Sequence, residues 1–274
     1  MENIHSCLMV GLPSAGKTTY VAAFWAVEKD GNTGHKVSCS RYPADTKYLD
    51  ELKNKWLSQE KVQRTTLGAE IHLDLIHTET GKSLTLHVPD FRGESFQMLL
   101  MNEQDESIQK WIVQADSILF FIPNIPSDSL KDEVLTGDES NESNEIVANP
   151  AFTINEVSLW TQNIMLLKYF HEKLGSYIPI SICFSAWDEM ESCEQTVDDW
   201  IKTEHLFFYN FVKNHFRNVK FFGVSAQGRK YKEGDDAFDE ELDELTNAKK
   251  RAYVFTDKKS NDITEPIAFL LDTL

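Results

Sequence analysis

The sequence predicts a three-layer α/β domain whose sheet is mostly parallel, with one antiparallel strand contributed by a hairpin. Short apolar runs alternate with helical stripes along the whole chain. Two of those runs, 69–78 and 83–90, alternate apolar and polar residues and are joined by "ETGK", so they should pair as an antiparallel hairpin with the glycine in the turn. The opening unit is strand, glycine turn, helix: "IHSCLMV" at 4–10, then "GLPSAG", then "KTTYVAAFWAVEK" from Lys17.

The remaining elements follow in chain order. A β-branched stretch near 36–42 precedes "DTKYLDELKNKWL", where Tyr48, Leu49, Leu52 and Trp56 form a helical stripe, and together they read as an insertion. After the hairpin, "SIQKWIVQAD" is helical and "SILFFIP" at 117–123 is a buried strand. "NEVSLWTQNIMLLKYFHEKLG" is a long amphipathic helix. The apolar strands "PISICFSAWD" and "VKFFGVSAQG" are separated by one helix through "TVDDWIKTEHLFFYNFVKNH", and "ITEPIAFLLDTL" docks as a last helix. We expect a single domain over 1–274, with a helical insertion at about 31–62 and an acidic insertion at about 127–150.

With 274 residues, 41% of them apolar, the chain can bury a sizeable core. A net charge of −17 argues against a nucleic-acid or anionic-membrane surface, because a phosphate backbone is held by clustered Lys and Arg. No run approaches the eighteen or so apolar residues of a membrane span, and the start "MENIHSCLMVG" has no basic leader, so a cytoplasmic location is expected. The four cysteines lack CxxC spacing and read as free thiols. The acidic runs at 127–145 and 232–245 read as solvated segments, with docking of a basic partner as the functional alternative. Nothing resembles a nucleophile elbow, and His5, His72 and His87 on strands read as structural.

The chemistry sits at 11–19. Gly11, Gly16, Lys17 and Thr18 satisfy G-x-x-x-x-G-K-[ST], the phosphate-binding loop. Glycine permits the backbone angles that let successive N–H groups, here across Pro13, Ser14, Ala15, Gly16, Lys17, Thr18 and Thr19, converge on a β-phosphate at a helix N-terminus. Lys17 would span the β- and γ-phosphates and the Thr18 hydroxyl would ligate Mg²⁺. The fold then becomes a P-loop NTPase fold. In "HVPDFRGESF", Asp90 can hold a Mg²⁺ water and Gly93 can donate its N–H to the γ-phosphate. An antiparallel strand between the loop and DxxG belongs to switch GTPases.

On these motifs, together with "VQRTTLG", "SAWD", "VSAQG" and "ITEPIAFLL", the chain resembles the P-loop GTPases of the translation-factor-related (TRAFAC) class, and within it the bacterial double-GTPase families of conflict systems. The resemblance covers nearly the whole chain and implies a G domain that binds GTP or GDP with Mg²⁺ and signals its nucleotide state to a protein partner, in phage defence for instance. It implies a switch threonine in "QRTTLG", where Thr65 and Thr66 are available and Thr65 is chosen. Glu94 stands where many relatives carry a water-orienting glutamine. A carboxylate beside a triphosphate meets like-charge repulsion, so slow unaided hydrolysis is expected. Arg92 is either a cis arginine finger or a partner contact. On the base side, Asp188 of "SAWD" would accept from guanine N1–H and the 2-amino group, with Ser185 and Ala186 replacing the family's Asn and Lys, and Ser225 and Ala226 offering a backbone N–H to O6. Trp187 reads as core. Two rivals stay open, a nucleotide-holding scaffold without turnover and an ATP-using phosphotransferase.

Overall fold

The computed structural model describes residues 4–31, 34–58, 70–89, 96, 99–101, 106–123, 157–190, 195–228 and 251–274. The acidic insertion at 127–150, the run at 232–245 and Cys193 lie outside them. In chain order the elements are β1 (His5–Gly11), α1 (Lys17–Lys29), β2 (Val37–Arg41), α2 (Lys47–Leu57), β3 (Ile71–His77), β4 (Ser83–Val88), α3 (Glu106–Val113) and β5 (Ser117–Pro123). There follow α4 (Leu159–Leu174), β6 (Ile180–Ser185), a 3₁₀ turn (Trp187–Met190), α5 (Val197–Glu204), α6 (Leu206–His215), β7 (Val219–Ser225), β8 (Tyr253–Phe255), β9 (Lys259–Ser260) and α7 (Glu265–Thr273).

The strands form one sheet in the order β2-β3-β4-β1-β5-β6-β7-β8-β9. Strands β4, β1, β5, β6 and β7 are mutually parallel. The hairpin is as the sequence predicts: β3 runs antiparallel to β4, and its turn is closed by Gly81 N–H to His77 O at 2.9 Å, with Gly81 at φ 72°. To that antiparallel strand the sheet adds β8, antiparallel to β7 and followed by β9. Three and two residues are too short to show an alternation, which is why these strands are not legible in the sequence.

Each central strand is apolar on both faces, and the period of two sends neighbours to opposite layers. On β1, Cys7 and Met9 join a core with α1, α2 and α7, whereas Leu8 and Val10 join a second core with α3, α4, α5 and α6. Helix α1 is buried from Tyr20 through Glu28 because the sheet lies beneath it and α2 above. The segment expected as a helical insertion holds a strand and a helix: β2 pairs with β3, and α2 buries Leu49, Leu52 and Trp56. On β2 the N–H groups of Val37 and Cys39 donate to Thr264 Oγ1 (3.1 Å) and Glu28 Oε1 (3.2 Å).

The single helix expected at 196–215 is two. At His205 (φ −136°, ψ 49°) the chain leaves helical geometry, and the imidazole stacks on Trp160 with ring centroids 3.8 Å apart. Cys7, Cys39 and Cys183 are free, and burial pushes the Cys7 thiol up to about 12, which leaves it inert. His72 and His87 face each other across the hairpin, Nδ1 to Nδ1 at 2.8 Å, as structural histidines do. Among the described residues no helix is long and apolar enough to cross a membrane.

Candidate functional site

The C-terminal ends of β1, β5, β6 and β7 share one rim of the sheet, the side on which open α/β sheets carry ligands. β1 ends at Gly11, where a Cβ would stand 2.7 Å from Phe121 O, so only glycine lets the loop leave this close to β5. The chain then turns through left-handed backbone at Ser14 (φ 61°) and Gly16 (φ 83°) before α1 starts at Lys17. Leu12 and Ala15 are buried and pin the loop from below, Pro13, Thr18 and Thr19 are half-buried, and Ser14 is exposed. α1 begins with neither a side-chain cap nor an acidic residue in its first turn, so its positive end is open to an anion. Lys17 Nζ donates to Gly11 O (2.5 Å) and Leu12 O (2.9 Å), which holds the ammonium across the mouth of the loop. The eight residues singled out from Gly11 to Thr19 therefore form one continuous turn from the end of β1 into the first turn of α1, the candidate phosphate cradle.

The base-side residues converge from two further strands. Ser185 ends β6 and packs on the cradle: a Cβ at Gly16 would meet Ser185 Cβ at 2.8 Å. Ala186 takes a left-handed φ of 54°, and Glu189 N–H donates back to its carbonyl at 3.0 Å, closing the 3₁₀ turn that carries Asp188. Asp188 is 7% exposed, and the buried Ser225 hydroxyl donates to its Oδ1 at 2.5 Å. Ser225 Oγ in turn accepts from Gly228 N–H at 3.0 Å. A buried carboxylate oriented by one hydroxyl can accept from the paired donors of a guanine edge. Trp187 is core, as expected: it stacks on Phe255 and lies over Gly223.

Thr65, Thr66, Asp90, Arg92, Gly93 and Glu94 lie outside the described residues. Two residues that sequence reasoning did not connect with the site reach it. Trp56 Nε1 donates to Ala226 O at 2.8 Å, and Arg251 Nε donates to Gln227 O at 2.8 Å while its guanidinium lies 4.0 Å from the Trp56 ring centroid. Trp56 is legible as the last member of a helical stripe, but no periodicity tells where an indole N–H ends up 170 residues away. Arg251 belongs to no motif.

The sequence profile of the family described as Double-GTPase 1 matches residues 8–270. The chain belongs to the Double-GTPase 1 family. It is therefore a guanine-nucleotide-binding protein of the P-loop class, and the double-GTPase resemblance read from the motifs leads to the same family group. No curated protein is similar enough to this Double-GTPase 1 chain to be matched. Among solved structures it is similar to Sup35 complexed with GDP, at 11% identity and TM-score 0.38, covering 84% of this chain and 39% of that one. It is likewise similar to the signal recognition particle receptor SRβ-GTP/SRX complex from Chaetomium thermophilum, at 16% identity and TM-score 0.39, covering 86% and 94%. The putative nucleolar GTP-binding protein 1 of Plasmodium falciparum gives 13% identity, TM-score 0.37 and coverage of 81% and 77%. The Double-GTPase 1 chain spans about two fifths of the Sup35 chain.

Proposed function

We propose that this Double-GTPase 1 chain is a Mg²⁺-dependent GTP switch, a single domain over 1–274, that hydrolyses GTP slowly and reports its nucleotide state to a protein partner. The observation that carries the proposal is the Ser225–Asp188 hydrogen bond on the same rim as the cradle, with Ser185 packed against Gly16 between them. Asp188 accepts from guanine N1–H and the 2-amino group, and adenine has no such donor pair on that edge. Ser225 and Ala226 lie beside it for O6, and the cradle amides with Lys17 hold the β- and γ-phosphates.

The Thr18 hydroxyl fits a Mg²⁺ ion shared with the bound phosphates. Among the described residues no cluster of three or more His, Cys, Asp or Glu could hold a metal, and Thr18 sits in the first turn of α1 beside the cradle. Mg²⁺ keeps waters and is held by one or two protein oxygens plus substrate phosphates, a role for the Thr18 hydroxyl with Thr65 and Asp90. When bound, the ion supplies charge neutralisation for the phosphates. In this reading Gly93 would donate to the γ-phosphate and Glu94 stands where relatives carry the glutamine that orients water, so unaided turnover would be slow and a partner engaging the segments at about 60–68 and 90–100 would accelerate it. The resemblance to families of bacterial conflict systems supports phage defence as the setting.

Competition of GTP, XTP and ATP against a fluorescent nucleotide tests the base. Wild type should prefer GTP, and Asp188→Asn, whose amide can donate, should penalise GTP and improve XTP. A wild-type preference for ATP, or an unchanged order in the variant, would overturn the assignment. Product analysis with enzyme in excess separates slow turnover, which yields GDP, from a scaffold, which yields none.

A further inference from the structure

We infer that Trp56 and Arg251 are positioning residues for base recognition: between them they clamp the 225–228 loop in the one orientation from which Ser225 can aim Asp188. The inference rests on the guanine role proposed for Asp188. Every residue of the loop is tied. Ser225 donates to Asp188 and accepts from Gly228 N–H at 3.0 Å. The Ala226 carbonyl is held by the Trp56 indole N–H at 2.8 Å, and the Gln227 carbonyl by Arg251 Nε at 2.8 Å. Gly228 sits at φ 84°, where an added Cβ would lie 2.3 Å from Arg251 O, so the loop ends against the backbone of the residue that clamps its middle.

The two clamping groups are braced by each other. Trp56 is 0% exposed and Arg251 is 3% exposed, with the guanidinium centred 4.0 Å from the indole centroid. A planar cation stacked on an indole away from water is a strong, directional contact, and its donors are fixed in a rigid fork. With both carbonyls drawn to this side, neither peptide group can flip, and the Ser225 hydroxyl keeps its line to Asp188 Oδ1. Without the clamp, the buried Ala226 carbonyl loses its partner and the loop must turn to find another. The clamp also comes from α2, whose last residues lead into the 59–69 segment that holds Thr65 and Thr66. The element that fixes the base loop and the proposed switch segment are therefore covalently adjacent.

The test compares GDP with inosine diphosphate, which has the same phosphates and sugar and lacks only the 2-amino group. Damage to the cradle weakens both ligands alike, and a lost folded fraction removes sites for both alike, so the ratio of their dissociation constants reports the base loop alone. Trp56→Phe keeps a ring under the guanidinium and removes the donor to Ala226. We expect the GDP preference over inosine diphosphate to fall about tenfold, the size of one lost buried hydrogen bond. Arg251→Met, which keeps an apolar stem on the indole and removes the donor to Gln227, should shift the ratio in the same direction and stands in should Trp56→Phe fail to fold. A wild-type ratio well above one that stays unchanged in the folded variants overturns this inference alone. A wild-type ratio near one overturns the guanine role of Asp188 and the clamp with it.

Discussion

Replacing Gly223 by Ala adds a single methyl group to β7 directly beneath the Trp187 indole. A Cβ there would lie 2.2 Å from Cδ2, 2.5 Å from Cγ and 2.6 Å from Cε2 of Trp187. Carbon atoms in contact sit about 3.5–4.0 Å apart, so the indole would have to retreat by roughly 1 Å. It has little room. Phe255 stacks on it at a centroid distance of 5.9 Å, and Trp200, itself 6% exposed, meets its edge at 5.2 Å. Overpacking of this kind costs about 1–3 kcal/mol, and the contact with three rigid ring atoms argues for the upper half. At roughly 2–4 °C per kcal/mol for a chain of this size, the melting temperature should fall by about 4–12 °C. The site should respond as well, because Trp187 immediately precedes Asp188 and Ser225 lies two residues beyond Gly223. GDP affinity should drop together with stability. Thermal unfolding and nucleotide titration of Gly223→Ala, Trp187→Leu and the double variant measure both effects. If the collision is the cause, Gly223→Ala should cost almost nothing in the Trp187→Leu background. The same cost in both backgrounds, or a melting temperature within a degree of wild type, would refute the reasoning.

Two further outcomes are expected. Lys17→Ala should lose triphosphate affinity by about 2–5 kcal/mol in calorimetry, because a charge-assisted contact to phosphate disappears; wild-type affinity in the variant would place the phosphate elsewhere. Burial pushes the His205 imidazole down from its ordinary 6.5 to about 4. The unfolded chain therefore binds the extra proton first, so stability is full above about pH 6.5 and declines as pH falls toward 4. Urea midpoints between pH 7 and pH 4 should show that decline in wild type and a flatter profile in His205→Phe, which keeps the stack on Trp160; equal slopes would count against it.

The geometry of the 11–17 loop was legible because its requirements are local. Left-handed backbone at residue 16, a close approach at residue 11 and an ammonium one residue into a helix all have to be met within seven residues, and they leave a fixed spacing. The hairpin was legible for a similar reason, since its alternation and its turn glycine are contiguous. Asp188 and Ser225 could be named as candidates from their motifs, but their mutual hydrogen bond joins the turn after β6 to the end of β7, 37 residues apart, and becomes visible only once β6 and β7 are neighbours. The break at His205 escaped because the apolar periodicity of 197–215 runs through it. The imidazole at the break stacks on Trp160 of α4, a partner that lies outside the sequence window. Trp56 shows the limit most plainly: the pattern reports that it is buried, and not what its one polar atom does.

The side-chain acceptors on β2 have a consequence for association. An outermost strand ordinarily offers its amides as a template for another chain, and extended peptides bind by adding themselves to such an edge. Here the Val37 and Cys39 amides are already occupied by Thr264 and by Glu28, which is 6% exposed and also accepts from Tyr42 Oη at 3.3 Å. The far border of the sheet is the two-residue β9. Among the described residues, two of the amides of β2 are therefore not free to pair with an added strand, and β9 is too short to template one of any length. The side chains of Thr264 and Glu28 thus do on this border what a neighbouring strand does inside the sheet.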